Sequence, residues 1–113
     1  MHRGDIWWAA LPASKASEPG FKRPLIIVQS DDFNRSQINT VIAVILTSNL
    51  QLSLSPGNLF LKSKETGLRK NSVANVSQMV TTDRSFLIEK IGKLSPNKMK
   101  QLEEGLRLVL SLP

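Results

Sequence analysis

Residues 22–34 read KRPLIIVQSDDFN and combine a strongly apolar strand with a cation at its start. The unbroken apolar run Leu25–Val28 is typical of a strand that is covered on both faces. Pro24 lacks a backbone donor and biases the residue before it toward an extended conformation, so Arg23 is held at a defined place beside the strand. We therefore interpret Arg23 as a candidate functional residue.

Strand patterns continue along most of the chain. Residues 39–48, NTVIAVILTS, form the longest apolar run and suit a central strand. The full set of predicted strands covers residues 3–11, 24–30, 39–48, 58–62, 72–78, 80–84 and 86–94. The residues between 12 and 22 are predicted as a loop because they contain Pro, Ser and Gly.

A helix is predicted at the C-terminal end. Ser95 and Pro96 form a helix start, and Met99, Leu102, Leu106 and Val109 then recur at helical spacing. Glu103 and Arg107 stand one turn apart, in the favourable order for an ion pair. Five to seven short strands closed by one helix predict a mainly β fold, either a small, strongly bent barrel or a sandwich.

Length and composition indicate one globular domain over residues 1–113, with 41% hydrophobic and 21% charged residues. Fifteen Lys and Arg against nine Asp and Glu leave a net charge of +6, which favours polyanionic partners. No apolar run approaches the roughly 18 residues of a membrane span, and the start of the chain lacks the pattern of a signal peptide. We expect a cytoplasmic protein with no membrane association.

The residue counts exclude several kinds of chemistry. The chain has no Cys, no Tyr and a single His, so it contains neither a thiol nucleophile nor a pair of histidines for acid–base catalysis. A zinc site built from Cys and His is excluded as well. Asp31 and Asp32 are neighbours whose side chains point apart on an extended chain, which disfavours a metal pair. We expect neither metal nor cofactor.

Arg23 and Thr47 are the strongest candidate pair. Arg23 precedes one apolar strand and Thr47 ends the next, so antiparallel pairing would bring the two side chains to one edge of the sheet. A guanidinium is well matched to a phosphate, which predicts a phosphate site there. From the residues alone, a solvated cation and an ordinary strand threonine remain the alternative. The basic residues nearby fit a polyanion track or a solvated face equally well, and they are Lys15, Lys22, Lys62, Lys64, Arg69 and Lys70.

Five segments together resemble the MazF/PemK toxins. They are RGDIWWA at 3–9, GFKRPLIIVQSDDFN at 20–34, LTSN at 46–49, GLRKNSVANVSQ at 67–78 and IGKL at 91–94. The resemblance extends over nearly the whole chain. It implies an SH3-like barrel of the MazF/CcdB type with a C-terminal helix, a homodimer, and neutralisation by a cognate acidic antitoxin.

The resemblance also implies an activity. Such toxins are metal-independent, sequence-selective endoribonucleases that cut single-stranded RNA, mRNA above all, by attack of a ribose 2′-hydroxyl on the adjacent phosphate. The positions that match the catalytic residues are Arg23 and Thr47. Positions expected at the RNA are Phe21, as a stacking platform, Lys22, Asn34, Ser48, Lys70 and Gln78. Asn71 stands where such toxins often carry an acid, which affects either base preference or the local turn.

Two other functions fit the same fold. A non-enzymatic toxin on this barrel would inhibit DNA gyrase, but such proteins end in Trp-Gly-Ile, whereas this chain ends in Leu-Ser-Leu-Pro. A plain RNA-binding module would need only the basic turn. In that module Arg23 would matter no more than Lys62.

Overall fold

The computed structural model describes residues 1–12 and 21–113, so most of the predicted loop, including Lys15, lies outside the described residues. Six strands lie within these ranges, which agrees with the predicted number of five to seven. Their bounds are β1 Asp5–Leu11, β2 Phe21–Ile27, β3 Thr40–Thr47, β4 Leu59–Leu61, β5 Ser72–Asp83 and β6 Leu87–Lys93. The helices are α1 Asp31–Asn34, α2 Ser63–Thr66 and α3 Pro96–Leu110.

The strands form one antiparallel sheet in the order β4-β5-β3-β2-β1-β6. The sheet is strongly curled into a half-barrel, which confirms the predicted mainly β fold with a C-terminal helix. Apolar side chains cover both faces because the central strands are nearly continuous apolar runs. One face carries the cluster around Ile26, Leu46 and Leu102, and the other carries the cluster around Leu25 and Ile27.

The second strand lies earlier in the chain than predicted. β2 begins at Phe21, because residues 21–23 pair with β1, and it ends at Ile27, where the chain turns toward α1. Its ladder with β3, however, begins only at Leu25, which pairs with Ile45. Arg23 therefore lies within β2 but at the open end of the β2–β3 pair.

The two strands predicted over 72–84 are one strand with a bulge. Val44 pairs with Met79 and Ile45 pairs with Asn75, so three residues of β5 between them have no partner on β3. The Asn58 side chain supports this bulge, since its Oδ1 accepts from the Val76 backbone N–H at 3.0 Å. The continuous strand pairs with β3 on one side and, over its first residues, with β4 on the other.

The helix α3 begins where the sequence predicts. The Ser95 hydroxyl accepts from the Lys98 backbone N–H at 3.2 Å, and Leu102 is fully buried against the sheet. The predicted apolar stripe ends early, because Val109 is 43% exposed.

The predicted ion pair between Glu103 and Arg107 is wrong. Glu103 instead binds Arg3 at 2.6 Å and ties α3 to the start of the chain, whereas Arg107 pairs with Glu104. No helix in the described part of the chain is long and apolar enough to cross a membrane.

Candidate active-site cleft

A cleft of about 750 Å³ lies where β2 and β3 separate. Leu25 pairs with Ile45, and Arg23 and Thr47 lie two residues from this pair, toward the same end of the two strands. Because side chains alternate along each strand, Arg23 and Thr47 share one face. Both line the cleft. The antiparallel pairing that the sequence analysis assumed therefore brings the two candidate residues to the same end of the sheet.

The surroundings of Arg23 prepare it for an anion. Its guanidinium carbon lies 5.7 Å from the centre of the Phe21 ring, so the ring holds the flat group from one side. Its Nε is buried and has no hydrogen-bond partner among the described residues. A buried donor without a partner loses hydration with no compensation, and a phosphate oxygen is a group that can supply the missing acceptor.

Thr47 is oriented by the chain that follows it. The Asn49 backbone N–H donates to the Thr47 hydroxyl oxygen at 3.2 Å. The hydroxyl proton is thereby left to donate elsewhere, and an anionic oxygen in the cleft is a suitable acceptor. Ser48, which is exposed, lines the same cleft.

Further cations also line the cleft. Lys22 lies in it with its Nζ 5.8 Å from the centre of the Trp8 ring, and Arg69 and Lys70 enter from the turn between α2 and β5. Asn71, in the same turn, accepts from the Ser63 backbone N–H at 2.9 Å. This contact gives Asn71 a structural part in the turn.

Two glycines fix that turn against β6. Gly67 ends α2 with a φ of +88°, and a Cβ there would lie 2.7 Å from the Ile91 carbonyl oxygen. Gly92 on β6 packs equally closely against the end of α2, since a Cβ at Gly92 would lie 2.5 Å from the Thr66 carbonyl oxygen. The basic turn and β6 thus form one firm wall of the cleft.

Several positions expected at the RNA do not line the cleft. Asn34 is buried in α1, where its amide bonds Gln29 and Asp31. Gln78 is exposed on the β5 bulge, and its Oε1 accepts from Asn75 at 3.0 Å. Phe21 is 46% exposed and contacts the cleft only through Arg23.

Glu89 and Trp8 also line the cleft, although no sequence pattern marks either as a site residue. They lie opposite each other on β6 and β1. The signal that would have found them is the pairing of the first strand with the last, which no local pattern encodes. Within the ranges that the structure describes, no three His, Cys, Asp or Glu residues are grouped closely enough to hold a metal ion.

Comparisons with known proteins give a single family. Residues 2–110 match the model described as the PemK-like, MazF-like toxin of type II toxin–antitoxin systems. Endoribonuclease MazF2 of Mycobacterium bovis and endoribonuclease MazF6 of Mycobacterium tuberculosis are each 40% identical over 112 residues, which cover 99% of this chain and 98% of each relative.

Solved structures agree on the fold. Mycobacterium tuberculosis toxin MazF-mt6 superposes with a TM-score of 0.79 at 18% identity, covering 96% of this chain and 98% of that one. A MazE–MazF structure from Deinococcus radiodurans gives a TM-score of 0.79 at 17% identity, covering 100% and 97%. With a family model spanning nearly the whole chain and relatives at this identity, the chain belongs to the PemK-like, MazF-like toxins of type II toxin–antitoxin systems.

Proposed function

We propose that this toxin is an endoribonuclease that cuts single-stranded RNA, mRNA above all, and that Arg23 and Thr47 carry the reaction. The observation that supports this most is the meeting of the two residues in one cationic cleft, with the Arg23 Nε buried and unpartnered among the described residues. The relatives at 40% identity are named endoribonucleases. Residues 1–113 act as one toxin domain in the cytoplasm.

The reaction requires that the negative charge developing on the phosphorane be stabilised, and this does not require a metal ion. The ribose 2′-oxygen attacks the adjacent phosphorus, the bond from phosphorus to the 5′-oxygen breaks, and a 2′,3′-cyclic phosphate and a 5′-hydroxyl result. The 2′-hydroxyl loses a proton and the departing 5′-oxygen gains one. Arg23 donates to the phosphorane oxygens as negative charge builds up there, and Thr47 donates to a nonbridging oxygen.

Replacing Arg23 tests this proposal. Arg23→Ala should slow RNA cleavage by at least about 100-fold, because one preorganised donor to the transition state contributes roughly 3 kcal/mol. RNA binding should stay close to wild type, since Lys22, Arg69 and Lys70 remain in the cleft. Single-turnover cleavage and fluorescence anisotropy on one labelled RNA measure the two effects.

Lys62→Ala is the matched control, because Lys62 is exposed at the start of α2 and does not line the cleft. It should leave cleavage nearly unchanged. Equal losses of binding in the two variants, with no separate effect on cleavage, would contradict the proposal and favour a plain RNA-binding module. Blocked gyrase supercoiling with intact RNA would favour the gyrase inhibitor.

The proposal includes a homodimer. The end of α3 and the residues after it expose Leu108, Leu110 and Leu112 at 50% or more. They adjoin a groove of about 420 Å³ that Leu110 and Leu112 line together with Ile42 and Phe33. Apolar surface of this kind favours association. Sedimentation at micromolar concentration should give twice the mass of the chain, and a single-chain mass would contradict the dimer.

The proposal also includes a cognate antitoxin of acidic character. The net charge of +6 and the cationic cleft favour a negatively charged segment that orders on binding. One matched structure is of an endoribonuclease in complex with its cognate antitoxin, and others are of MazE–MazF. Titration with the cognate antitoxin should suppress cleavage at a stoichiometric ratio, and undiminished cleavage in its excess would contradict this part.

A further inference from the structure

Glu89 is the one carboxylate among the described residues that line the cleft. The other charged groups there are all cations, namely Lys22, Arg23, Arg69 and Lys70. Cations and hydroxyls suit phosphate oxygens, but an ionised carboxylate only accepts hydrogen bonds and repels phosphate. If RNA binds in this cleft, the Glu89 carboxylate should therefore contact a part of the RNA other than its phosphates.

Internal contacts within the described ranges do not account for this acid. Glu89 is exposed, and it makes no hydrogen bond or ion pair with a described residue. The neighbouring cation on β6, Lys90, instead lies 3.4 Å from Asp5. By contrast, Glu65, Glu103 and Glu104 each bind a cation.

The strand register separates Glu89 from the phosphate-binding pair. Glu89 pairs with Trp8 on β1, and Trp8 pairs with Pro24 on β2, so these three side chains leave the sheet on one face. Arg23 pairs with Ala9, one position further, and leaves on the other face. Arg23 and Glu89 thus enter the one cleft from opposite faces of the sheet, which favours separate contacts with the RNA.

The side of the cleft that holds Glu89 has the character of a base site. The Trp8 ring and the aliphatic side chain of Ile91 line it, and the closely packed turn at Gly67 closes it. Unstacked bases bind against aromatic and apolar side chains and are read on their Watson–Crick edges. A carboxylate on such a wall accepts from an N–H donor, as it does from the amino group of cytosine.

We propose that Glu89 reads the base of a nucleotide next to the scissile phosphate and selects a base that carries an exocyclic amino group. Uracil lacks that group, and its one Watson–Crick donor, N3–H, lies between two carbonyl oxygens that the carboxylate repels. This inference rests on the proposed nuclease activity and names a specificity-determining residue for it. The expected discrimination against uracil at one position is about 10-fold or more, the range of a single well-made base contact.

A degenerate RNA pool tests the inference. Sequencing the 5′ ends after partial digestion should show wild type disfavouring uracil at one position beside the cut, and Glu89→Gln should accept uracil there to within about threefold, because an amide offers a donor as well as an acceptor. Preferences at the other positions should not change. Glu104→Gln is the matched control, since Glu104 is exposed on α3 and does not line the cleft.

Two outcomes overturn the inference while leaving the nuclease intact. In one, Glu89→Gln keeps the wild-type preference at every position. In the other, it slows cleavage of all sequences equally and removes the acidic limb of the pH–rate profile, which would make Glu89 a proton acceptor. If wild type cuts nothing, the nuclease proposal fails separately. In that case, fluorescence anisotropy on four RNAs that differ at one base tests base selection by Glu89 directly. Equal affinities for all four RNAs, in wild type and in Glu89→Gln alike, would overturn base selection too.

Discussion

Asn34, a position predicted at the RNA, makes its contacts in the structure with Gln29 and Asp31 of the scaffold. The Asn34 amide donates to Asp31 at 3.0 Å, and the Arg3 backbone N–H donates to the same carboxylate oxygen at 2.8 Å. Asn34 also bonds the side chain and backbone of Gln29. These contacts join the first residues of the chain to α1, so the polar side chains in the SDDFN segment stabilise a turn.

This network predicts an acid-dependent stability. The Asn34 side chain and then the Arg3 N–H hold the pKa of Asp31 below its ordinary 3.8. Because the folded-state pKa is depressed, the stabilisation is fully present above the unfolded-state pKa and is lost as the pH falls through the lower folded-state value. Asn34→Ala should lower the free energy of unfolding at neutral pH by about 1–3 kcal/mol through its lost buried hydrogen bonds.

The difference between wild type and Asn34→Ala should shrink as the pH falls below about 4, since protonation of Asp31 removes the charged acceptor in both proteins. Urea denaturation from pH 7 to about pH 2 measures it. A difference that stays constant across that range would show that Asp31 has no part in the effect.

At the scale of elements, local sequence patterns were sufficient to predict α3 and most of the strands. Ser95 and Pro96 mark the helix start because capping is a property of neighbouring residues. The bulge in β5 was missed, since it depends on Asn58, which lies 18 positions from the backbone N–H that it binds. The Glu103 prediction failed for a similar reason, because its true partner is Arg3.

At Gly105 the helix α3 packs directly against the backbone of Gly57. A Cβ there would lie 2.1 Å from the Gly57 carbonyl oxygen, a distance that no small adjustment relieves. Gly105→Ala should therefore lower the free energy of unfolding by about 1–3 kcal/mol or more. In an unconstrained helix the same change raises helix stability by about 1 kcal/mol, so the predicted sign is the opposite of the usual one.

Urea denaturation of Gly105→Ala measures this effect, with Lys100→Ala on the exposed face of α3 as the matched control. The control should stay within about 0.5 kcal/mol of wild type. A Gly105→Ala protein that is more stable than wild type would refute the close packing of α3 on the turn at Gly57.

At the scale of the whole molecule, the cleft is assembled from strands that are distant in sequence. Arg23 and Thr47 could be paired from the sequence, because their strands are consecutive and an antiparallel connection is the simplest one. Glu89 could not, because it reaches the cleft through the pairing of β6 with β1. The candidate reactive pair was therefore predictable from the residues, whereas the composition of the surrounding wall required the sheet order.

The central claim is that a fixed guanidinium and a hydroxyl replace metal and histidine in cutting RNA. Incubation of a single-stranded RNA with the purified chain in excess EDTA, followed by analysis of the product ends, tests it most directly. We predict undiminished cleavage that leaves a 2′,3′-cyclic phosphate and a 5′-hydroxyl, and its loss in Arg23→Ala. Cleavage that stops in EDTA, or products with a 5′-phosphate, would contradict the account.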